Sequence, residues 1–173
     1  MSRLDRIRTR SLPRSITRLA LAIVLLGGAS PQSTNLSVGA TVIAKCTVTS
    51  PTPMNFGAYD PVVTNRTANL DVTTNALAVS CTRGAPNVTV TLDLGTHAVG
   101  STRYMSDGAS HTLQYEIYTT SARTTVWNAT NSVSYSSTSL ASSALPVYGR
   151  VPGGQDAYTA VSYSDSIVAT VNF

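Results

Sequence analysis

Apolar and polar residues alternate in short runs along most of this chain. The alternation is clearest from Val88 to Leu94, where Val or Leu takes every second position between Thr and Asp residues. A period of two predicts strands with one buried face, and clusters of Gly, Pro, Asn and Asp predict the turns between them. Strands are expected at 46–48, 70–72, 77–81, 88–94, 104–105, 113–117, 147–149 and 162–173. No long stretch repeats with a helical period, so we predict an all-β sandwich with negligible helix.

The stretch 34–45 carries the same alternation near the start of the chain. Its apolar side chains take every second position: Leu36, Val38, Ala40 and Val42. Ile43 then breaks the pattern just before Cys46. An apolar strand in this place must find a sheet to pair with. Two interpretations are open: residues 36–44 form a strand of their own sandwich, or they add a strand to a neighbouring molecule.

The last predicted strand, Ser162 to Phe173, has one largely apolar face. That face carries Tyr163, Asp165, Ile167, Ala169, Val171 and Phe173. Lys and Pro, which commonly protect an exposed strand edge from pairing with other chains, do not occur in this stretch. Either the strand is central and covered, or its edge is available to a partner strand.

The first 29 residues have the composition of a secretion signal. Six Arg precede an apolar run from Leu19 to Leu26, and Gly27, Gly28 and Ala29 provide small residues for cleavage. The apolar run is far shorter than the roughly 20 residues that a membrane-spanning helix needs. We therefore expect cleavage after Ala29, with Ser30 as the alternative site, and no membrane span in the mature chain.

Removal of this leader reverses the net charge. The chain has 12 Lys and Arg against 8 Asp and Glu, and the leader holds six of the Arg and one Asp. Six basic and seven acidic groups remain, which gives a net charge of −1. No basic patch is left to indicate nucleic-acid binding. The remaining length of about 144 residues suits one domain with its own core.

The only two cysteines are Cys46 and Cys81. In an exported chain an even number of cysteines favours one disulfide. The alternative is a metal pair, but two Cys without a nearby His make a poor zinc site. We predict a disulfide and no metal.

Candidate catalytic chemistry is sparse. His97 and His111 each lie beside a predicted turn, where exposed loop roles are expected. The folded chain could bring carboxylates together as a catalytic pair, but we expect solvated structural roles for them: Asp60, Asp93, Asp107 and Asp165. The sequence has no nucleophile elbow and no glycine-rich phosphate loop. We expect no catalytic residue and no cofactor. Trp127 and the tyrosines leave a sugar-binding surface open as an alternative to a buried core Trp.

Four motifs in order resemble those of the spore coat protein U domain family. They are Phe56-Gly57-Ala58-Tyr59-Asp60-Pro61, Val79-Ser80-Cys81-Thr82-Arg83-Gly84, Tyr148-Gly149-Arg150-Val151-Pro152-Gly153-Gly154-Gln155, and the closing stretch from Tyr163 and Asp165 to Phe173. Each motif alone is weak, but together they cover nearly the whole predicted mature chain. The family includes subunits of archaic chaperone–usher pili.

The resemblance implies an immunoglobulin-like sandwich that is incomplete, with six strands of its own and a seventh donated by another protein. A periplasmic chaperone fills the open groove first, and at the outer-membrane usher the N-terminal extension of the next subunit replaces it. Successive pilin subunits then form a head-to-tail homo- or hetero-polymer on the cell surface. On this basis we expect a secreted structural subunit that supports adhesion and biofilm formation.

The expected organisation is a signal peptide at 1–29, a donor extension at 30–44 and the sandwich domain at 45–173. Donor side chains would be Leu36, Val38, Ala40 and Val42, and the acceptor groove or chaperone contact would include Ile167, Ala169, Val171 and Phe173. Two alternatives are a spore or cyst coat protein of the same fold and a secreted carbohydrate-binding module.

Overall fold

The computed structural model describes residue 28, residues 30–50 and residues 52–173. The predicted signal peptide, 1–29, lies outside the described residues except for Gly28. Residues 28 and 30–39 contain no regular secondary structure, and every strand among the described residues lies in the unit from Ala40 to Phe173. In order these are β1 (Cys46–Thr49), β2 (Leu70–Cys81), β3 (Thr89–Leu92), β4 (Arg103–Ser106), β5 (Thr112–Tyr118), β6 (Val133–Ser134), β7 (Ser143–Val151) and β8 (Ala169–Asn172).

The strands form two antiparallel sheets, and the predicted all-β sandwich is confirmed. One sheet has the order β1-β2-β7-β5-β4, and the other has the order β6-β3-β8. No helix occurs in the described ranges, and none there could cross a membrane. The eight strands exceed the six that the resemblance implied, because the sheets gain the short edge strands β4 and β6.

The segment 34–45 does not form the strand that its alternation predicted. It has no regular secondary structure, and β1 begins only at Cys46. Residues 36–44 therefore form no strand of their own sandwich in this structure.

Strand β2 is one long strand where two were expected. The alternation suggested separate strands at 70–72 and 77–81, but Leu70–Cys81 runs unbroken against β7, with a register shift between Thr74 and Leu77. The adjacent residues Ala76 and Leu77 are both buried. A bulge lets two consecutive side chains reach the core, which strict alternation forbids.

The core lies between the sheets and is centred on Trp127. Its side chain is fully buried, and Nε1 donates to the Val90 carbonyl at 2.8 Å. Val79, Val90 and Val151, one from each of three strands, are equally buried. Because Trp127 has no exposed surface, it cannot belong to a sugar-binding face, and the prediction of a buried core Trp is correct.

The two cysteines are bonded. Cys46 and Cys81 are register partners on β1 and β2, and the structure contains the Cys46–Cys81 disulfide. It closes a loop with a sequence separation of 35, for which the chain-entropy model gives about 3–4 kcal/mol. The bond fixes the edge strand β1 to the long strand β2.

The C-terminal stretch is extended, but it is not the single strand predicted from Ser162 to Phe173. Only Ala169–Asn172 forms β8, which pairs with β3. Earlier in the stretch, Ser164 exchanges two backbone hydrogen bonds of 2.9 Å with Ser106 on β4. The segment therefore passes from the edge of one sheet to the edge of the other, so that one continuous ladder with one partner cannot form.

Candidate functional site

An apolar groove lies between the edges of the two sheets. Strand β1 pairs only with β2, and β8 pairs only with β3, among the strands that the structure describes. The two edge strands lie close to each other without hydrogen bonds between them. On the opposite side, the bridge between Ser106 and Ser164 joins the β4 edge to the C-terminal segment. The sandwich is thus open where β1 faces β8.

The groove is a cavity of about 710 Å³ with a mostly apolar floor. Buried core side chains form that floor: Ala76, Leu77, Leu92, Tyr115, Ile117 and Val147. Val48 of β1 lines the groove on one side, and Ile167 and Ala169 line it on the other. A free strand edge beside a groove whose floor is made of core side chains is the geometry that a strand from another chain can complete.

The predicted acceptor residues lie at different depths. Side chains alternate along the closing stretch, with residues 163, 165, 167, 169 and 171 half-buried and their neighbours exposed. Ile167 and Ala169 line the groove. Val171 packs against the core farther along β8, and Phe173 is 55% exposed.

A second cavity of about 410 Å³ adjoins the groove. Six residues line both cavities and lie where the two meet: Met54, Asn55, Phe56, Met105, Ser162 and Tyr163. The Phe56 ring packs edge-on against Tyr115, with ring centroids 6.0 Å apart. The segment after β1 therefore crosses the sandwich and limits the groove at that end.

The four predicted donor side chains are exposed. Leu36, Val38 and Val42 are 86%, 88% and 82% exposed, and Ala40 is exposed as well. Gly39, in the middle of the segment, lies in open space, since a β-carbon added there would meet no heavy atom within 4 Å. Large apolar side chains that recur at every second position and remain in water favour pairing with another surface.

The first and third motifs meet in one polar network. The Tyr59 hydroxyl donates to the Pro152 carbonyl at 2.9 Å and accepts from the Gln155 amide at 3.1 Å. The Gln155 side chain then acts as an extra strand residue beside β5. Its oxygen accepts from the Gln114 amide at 2.8 Å, and its nitrogen donates to the Gln114 carbonyl at 3.0 Å.

Asp60 and Pro61 form the turn between these motif residues. The Asp60 carboxylate accepts from the amides of Val62 and Val63 at 2.9 and 3.1 Å. The bonds from Val63 and Val62 lower the pKa of Asp60 below its ordinary value. Gly57 permits the preceding bend through a φ of 80°. Asp60 is thus a turn residue, and Pro61 lines the second cavity.

Gly149 and Tyr148 occupy opposite faces of β7. A β-carbon on Gly149 would lie 2.7 Å from Met54 Sδ and from Phe56 Cζ, so only glycine allows this close packing. Tyr148 lies on the outer face, where the Arg123 guanidinium stands 5.9 Å from its ring centroid. These motif residues therefore support the wall of the groove rather than contribute chemistry.

The fourth motif places a carboxylate in the groove wall. Asp165 accepts from the hydroxyls of Tyr115 and Thr96, both at 2.7 Å, and from His97 Nδ1 at 2.9 Å. Burial works to raise the pKa of Asp165, but these hydrogen bonds outweigh it and hold the pKa below its ordinary value. Tyr163 lies two residues earlier and donates to the Tyr158 carbonyl at 2.7 Å.

Each of the two partly exposed histidines pairs with a largely buried carboxylate. His97 contacts Asp165, and its side chain is 41% exposed. His111 lies 2.6 Å from Asp107 and stacks on Tyr158. No group of three His, Cys, Asp or Glu side chains gathers as a metal site in the described ranges.

A buried ion pair in the hairpin β4–β5 was not foreseen. Arg103 is fully buried and bonds Glu116 at 3.1 Å and the Trp127 carbonyl at 2.7 Å; it also donates to the Asp93 carbonyl. The signal in the sequence is a charged residue on each of two adjoining strands, Arg103 in β4 and Glu116 in β5, and nothing in the alternation marks the arginine as buried. The groups that satisfy it come from distant parts of the chain, so the alternation could not identify them.

Comparison with known proteins identifies the family. The model of the spore coat protein U domain matches residues 32–170. The chain belongs to the spore coat protein U domain family. It is 35% identical over 160 residues to Protein U of Myxococcus xanthus, and the match covers 84% of this chain and 87% of that protein.

A solved structure shares the fold. It is the crystal structure of the CsuC–CsuE chaperone–tip adhesion subunit pre-assembly complex from archaic chaperone–usher Csu pili of Acinetobacter baumannii. The match has a TM-score of 0.54 and 18% identity, and it covers 77% of this chain and 40% of the matched chain. The likeness confirms the immunoglobulin-like sandwich of the spore coat protein U domain.

Proposed function

We propose that this protein is a structural subunit of an archaic chaperone–usher surface fibre, assembled by donor-strand complementation. The proposal rests on two complementary features of the same chain. An apolar groove lies between the free edges of β1 and β8, and an alternating apolar segment has its side chains in water. The groove lacks a strand along its open edge, and the segment lacks a sheet to pair with.

The donor segment has the spacing that such a groove requires. Leu36, Val38, Ala40 and Val42 project on one side of an extended strand, and Ser37 and Thr41 project on the other. Backbone groups of the donor would pair with the free edge of β8, while its apolar side chains cover the groove floor. Burial of a Val or Leu side chain contributes roughly 1.5–3 kcal/mol.

Ile167 and Ala169 would contact the donor directly, and Val171 and Phe173 would extend the contact along β8. A segment that leaves one subunit and enters the groove of the next generates a head-to-tail interface, which forms open filaments. The role is mechanical rather than enzymatic.

The family and the shared fold support the partners of this scheme. A periplasmic chaperone would occupy the groove before assembly, and an outer-membrane usher would exchange it for the donor of a neighbouring pilin. The resulting fibre lies outside the cell and supports adhesion and biofilm formation. The predicted signal peptide at 1–29 directs the subunit to that route.

One pair of substitutions tests the donor. Val38→Asp places a carboxylate where the groove is apolar, and Ser37→Asp places the same group one residue earlier on the opposite side of the strand. Burying an unpaired carboxylate is strongly unfavourable, so Val38→Asp should abolish the polymer ladder of the secreted protein, whereas Ser37→Asp should retain it. Both residues are exposed in the isolated chain, so neither change should alter monomer stability. Equal polymerisation of the two variants would contradict the proposal.

A coat component is the second candidate, and the similarity to Protein U along most of both chains favours it. The two functions use the same fold but differ in where the polymer is found. Antibody labelling of thin fibres on growing cells supports the pilus, whereas label confined to the coat of resting cells supports the coat protein.

A further inference from the structure

The structure also defines how the N-terminal extension is joined to the domain. Thr82 follows the disulfide-bonded Cys81 at the end of β2 and lies opposite Lys45. Its amide donates to the Lys45 carbonyl at 2.8 Å, and its hydroxyl accepts from the Lys45 amide at 3.0 Å. The same hydroxyl donates to the Ile43 carbonyl at 3.2 Å. These three bonds hold both ends of the segment 43–45.

Thr82 is itself held from the other side. The Ser137 hydroxyl donates to the Thr82 carbonyl at 2.7 Å, and the Ser137 carbonyl accepts from the Gly84 amide at 3.0 Å. One residue away, the disulfide joins Cys46 to Cys81. Thr82 is therefore a fixed point in the domain rather than a mobile loop residue.

We propose that Thr82 is the positioning residue that anchors the C-terminal end of the donor segment to its own domain. The anchor limits how far neighbouring subunits can move relative to each other at the joint between them. The inference rests on the proposed function. Val42 is the last donor side chain, and Ile43, the next residue, is already bonded to Thr82. No residue is left to act as a flexible linker, and the reach and orientational freedom of a joint depend on linker length. A donor seated in one subunit thus restricts the orientation of the subunit that provides it.

The joint explains a motif residue that otherwise has no role. Thr82 belongs to the stretch Val79–Gly84 that contains the second cysteine, and the disulfide alone does not require a hydroxyl beside it. A threonine hydroxyl at this place can both accept from an amide and donate to a carbonyl, which valine of the same shape cannot do.

Lys45 gives a direct readout of the anchor, because it is the only lysine in the sequence. A lysine-specific protease should therefore cut the chain once, between Lys45 and Cys46, and only when the anchored segment opens. The parent for this experiment is the mature full-length chain with Val38→Asp, which keeps it monomeric. Thr82→Val removes both bonds of the hydroxyl. It should therefore raise the cleavage rate at least about fivefold to tenfold, the change in opening expected from the loss of even one hydrogen bond.

Two variants control this measurement. Thr82→Ser retains the hydroxyl and should restore slow cleavage. Thr47→Val removes another exposed hydroxyl from β1, one whose contact with the Ser80 carbonyl is 3.5 Å long, and should leave the rate unchanged. An unchanged midpoint of urea unfolding, followed by Trp127 fluorescence, shows that each variant is folded. Equal cleavage of the Thr82→Val chain and its parent would overturn the anchor.

Fibres provide the second readout. In a chain with the native donor, Thr82→Val should assemble but give fibres of shorter persistence length in electron micrographs, and Thr82→Ser should give fibres as straight as the parent. Unaltered stiffness in Thr82→Val fibres would contradict the claim that Thr82 restricts the orientation of neighbouring subunits. Failure of the parent to form fibres would count against the proposed function, while the protease measurement still decides whether Thr82 anchors the segment.

Discussion

The hydroxyl of Tyr115 donates to Asp165 at 2.7 Å and so links the floor of the groove to its wall. Tyr115 lies on β5, between β7 and the edge strand β4, and Asp165 lies in the extended stretch that precedes β8. Thr96 bonds the same carboxylate from the turn after β3. The carboxylate therefore connects three segments that must stay in register for the groove to keep its shape.

Asp165 should make the stability of the domain sensitive to acid. Hydrogen bonds hold its folded-state pKa below the ordinary value of 3.8, so the folded form binds a proton less readily than the unfolded form. The contribution is then present above the unfolded pKa and is lost as the pH falls through the lower folded pKa. Asp165→Asn should lower the free energy of unfolding at neutral pH by about 1–3 kcal/mol.

Urea unfolding of the monomeric Val38→Asp chain at pH 7 and pH 3 measures this effect. The sole tryptophan, Trp127, is fully buried and provides the fluorescence signal. The gap in the free energy of unfolding between the parent and Asp165→Asn should be smaller at pH 3 than at pH 7. Because Asp60, Asp71 and Asp107 also have lowered pKa values, the difference between the two chains, rather than either curve alone, isolates Asp165. A gap that is the same at both pH values would contradict this prediction.

Gly149 should resist even the smallest substitution. Gly149→Ala puts a methyl group 2.7 Å from Met54 Sδ and Phe56 Cζ, and overpacking of this kind typically costs about 1–3 kcal/mol. The Met54 side chain can move, but the Phe56 ring is held against Tyr115. Gly39→Ala is the matched control, since no atom lies within 4 Å of the added methyl there.

The ring of Phe56 is the source of the expected cost, and a double variant tests that point. Phe56→Leu together with Gly149→Ala should be more stable than the sum of the two single changes predicts, because the smaller side chain leaves room for the methyl group. Midpoints of urea unfolding provide the measurement. Additive effects would show that Phe56 is not the group that Gly149 accommodates.

The alternation of side chains was sufficient to predict the strands that keep one partner along their length. The expected strand at 88–94 contains β3, and the strand at 113–117 coincides with β5 within one residue at each end. The bulge in β2 could not be predicted in this way, because it depends on how β7 pairs with both halves. The same holds for the stretch 162–173, whose partners β4 and β3 belong to different sheets.

The contacts that the motif residues make could not be predicted from the sequence. The sequence identified the motif that contains Gln155. It did not show that the Gln155 side-chain amide bonds the backbone of Gln114, 41 positions away, as a neighbouring strand would. Thr82 likewise acts on Ile43 across 39 positions. A single sequence carries no signal for such long-range contacts between side chain and backbone, whereas the exposed alternation at Leu36 to Val42 is visible directly.

The buried pair of Arg103 and Glu116 should be indispensable for the folded domain. Arg103 is fully buried and satisfies Glu116 together with two backbone carbonyls, those of Asp93 and Trp127. Arg103→Met should therefore lower the free energy of unfolding by about 3–5 kcal/mol, since it leaves a buried carboxylate without its partner. Arg83→Met, at an exposed turn position, is the control and should change stability by less than about 0.5 kcal/mol.

Removing the carboxylate of Glu116 as well should restore part of the stability that Arg103→Met loses. Arg103→Met with Glu116→Leu replaces the ion pair by apolar groups, which is often close to neutral when packing is retained. Recovery should be incomplete, because the Asp93 and Trp127 carbonyls still lose their donor and the amide of residue 103 loses Glu116 Oε1, which accepts from it at 3.1 Å. Urea unfolding at neutral pH provides the measurement: a double variant no more stable than Arg103→Met would contradict the expectation that the unpaired carboxylate causes most of the loss.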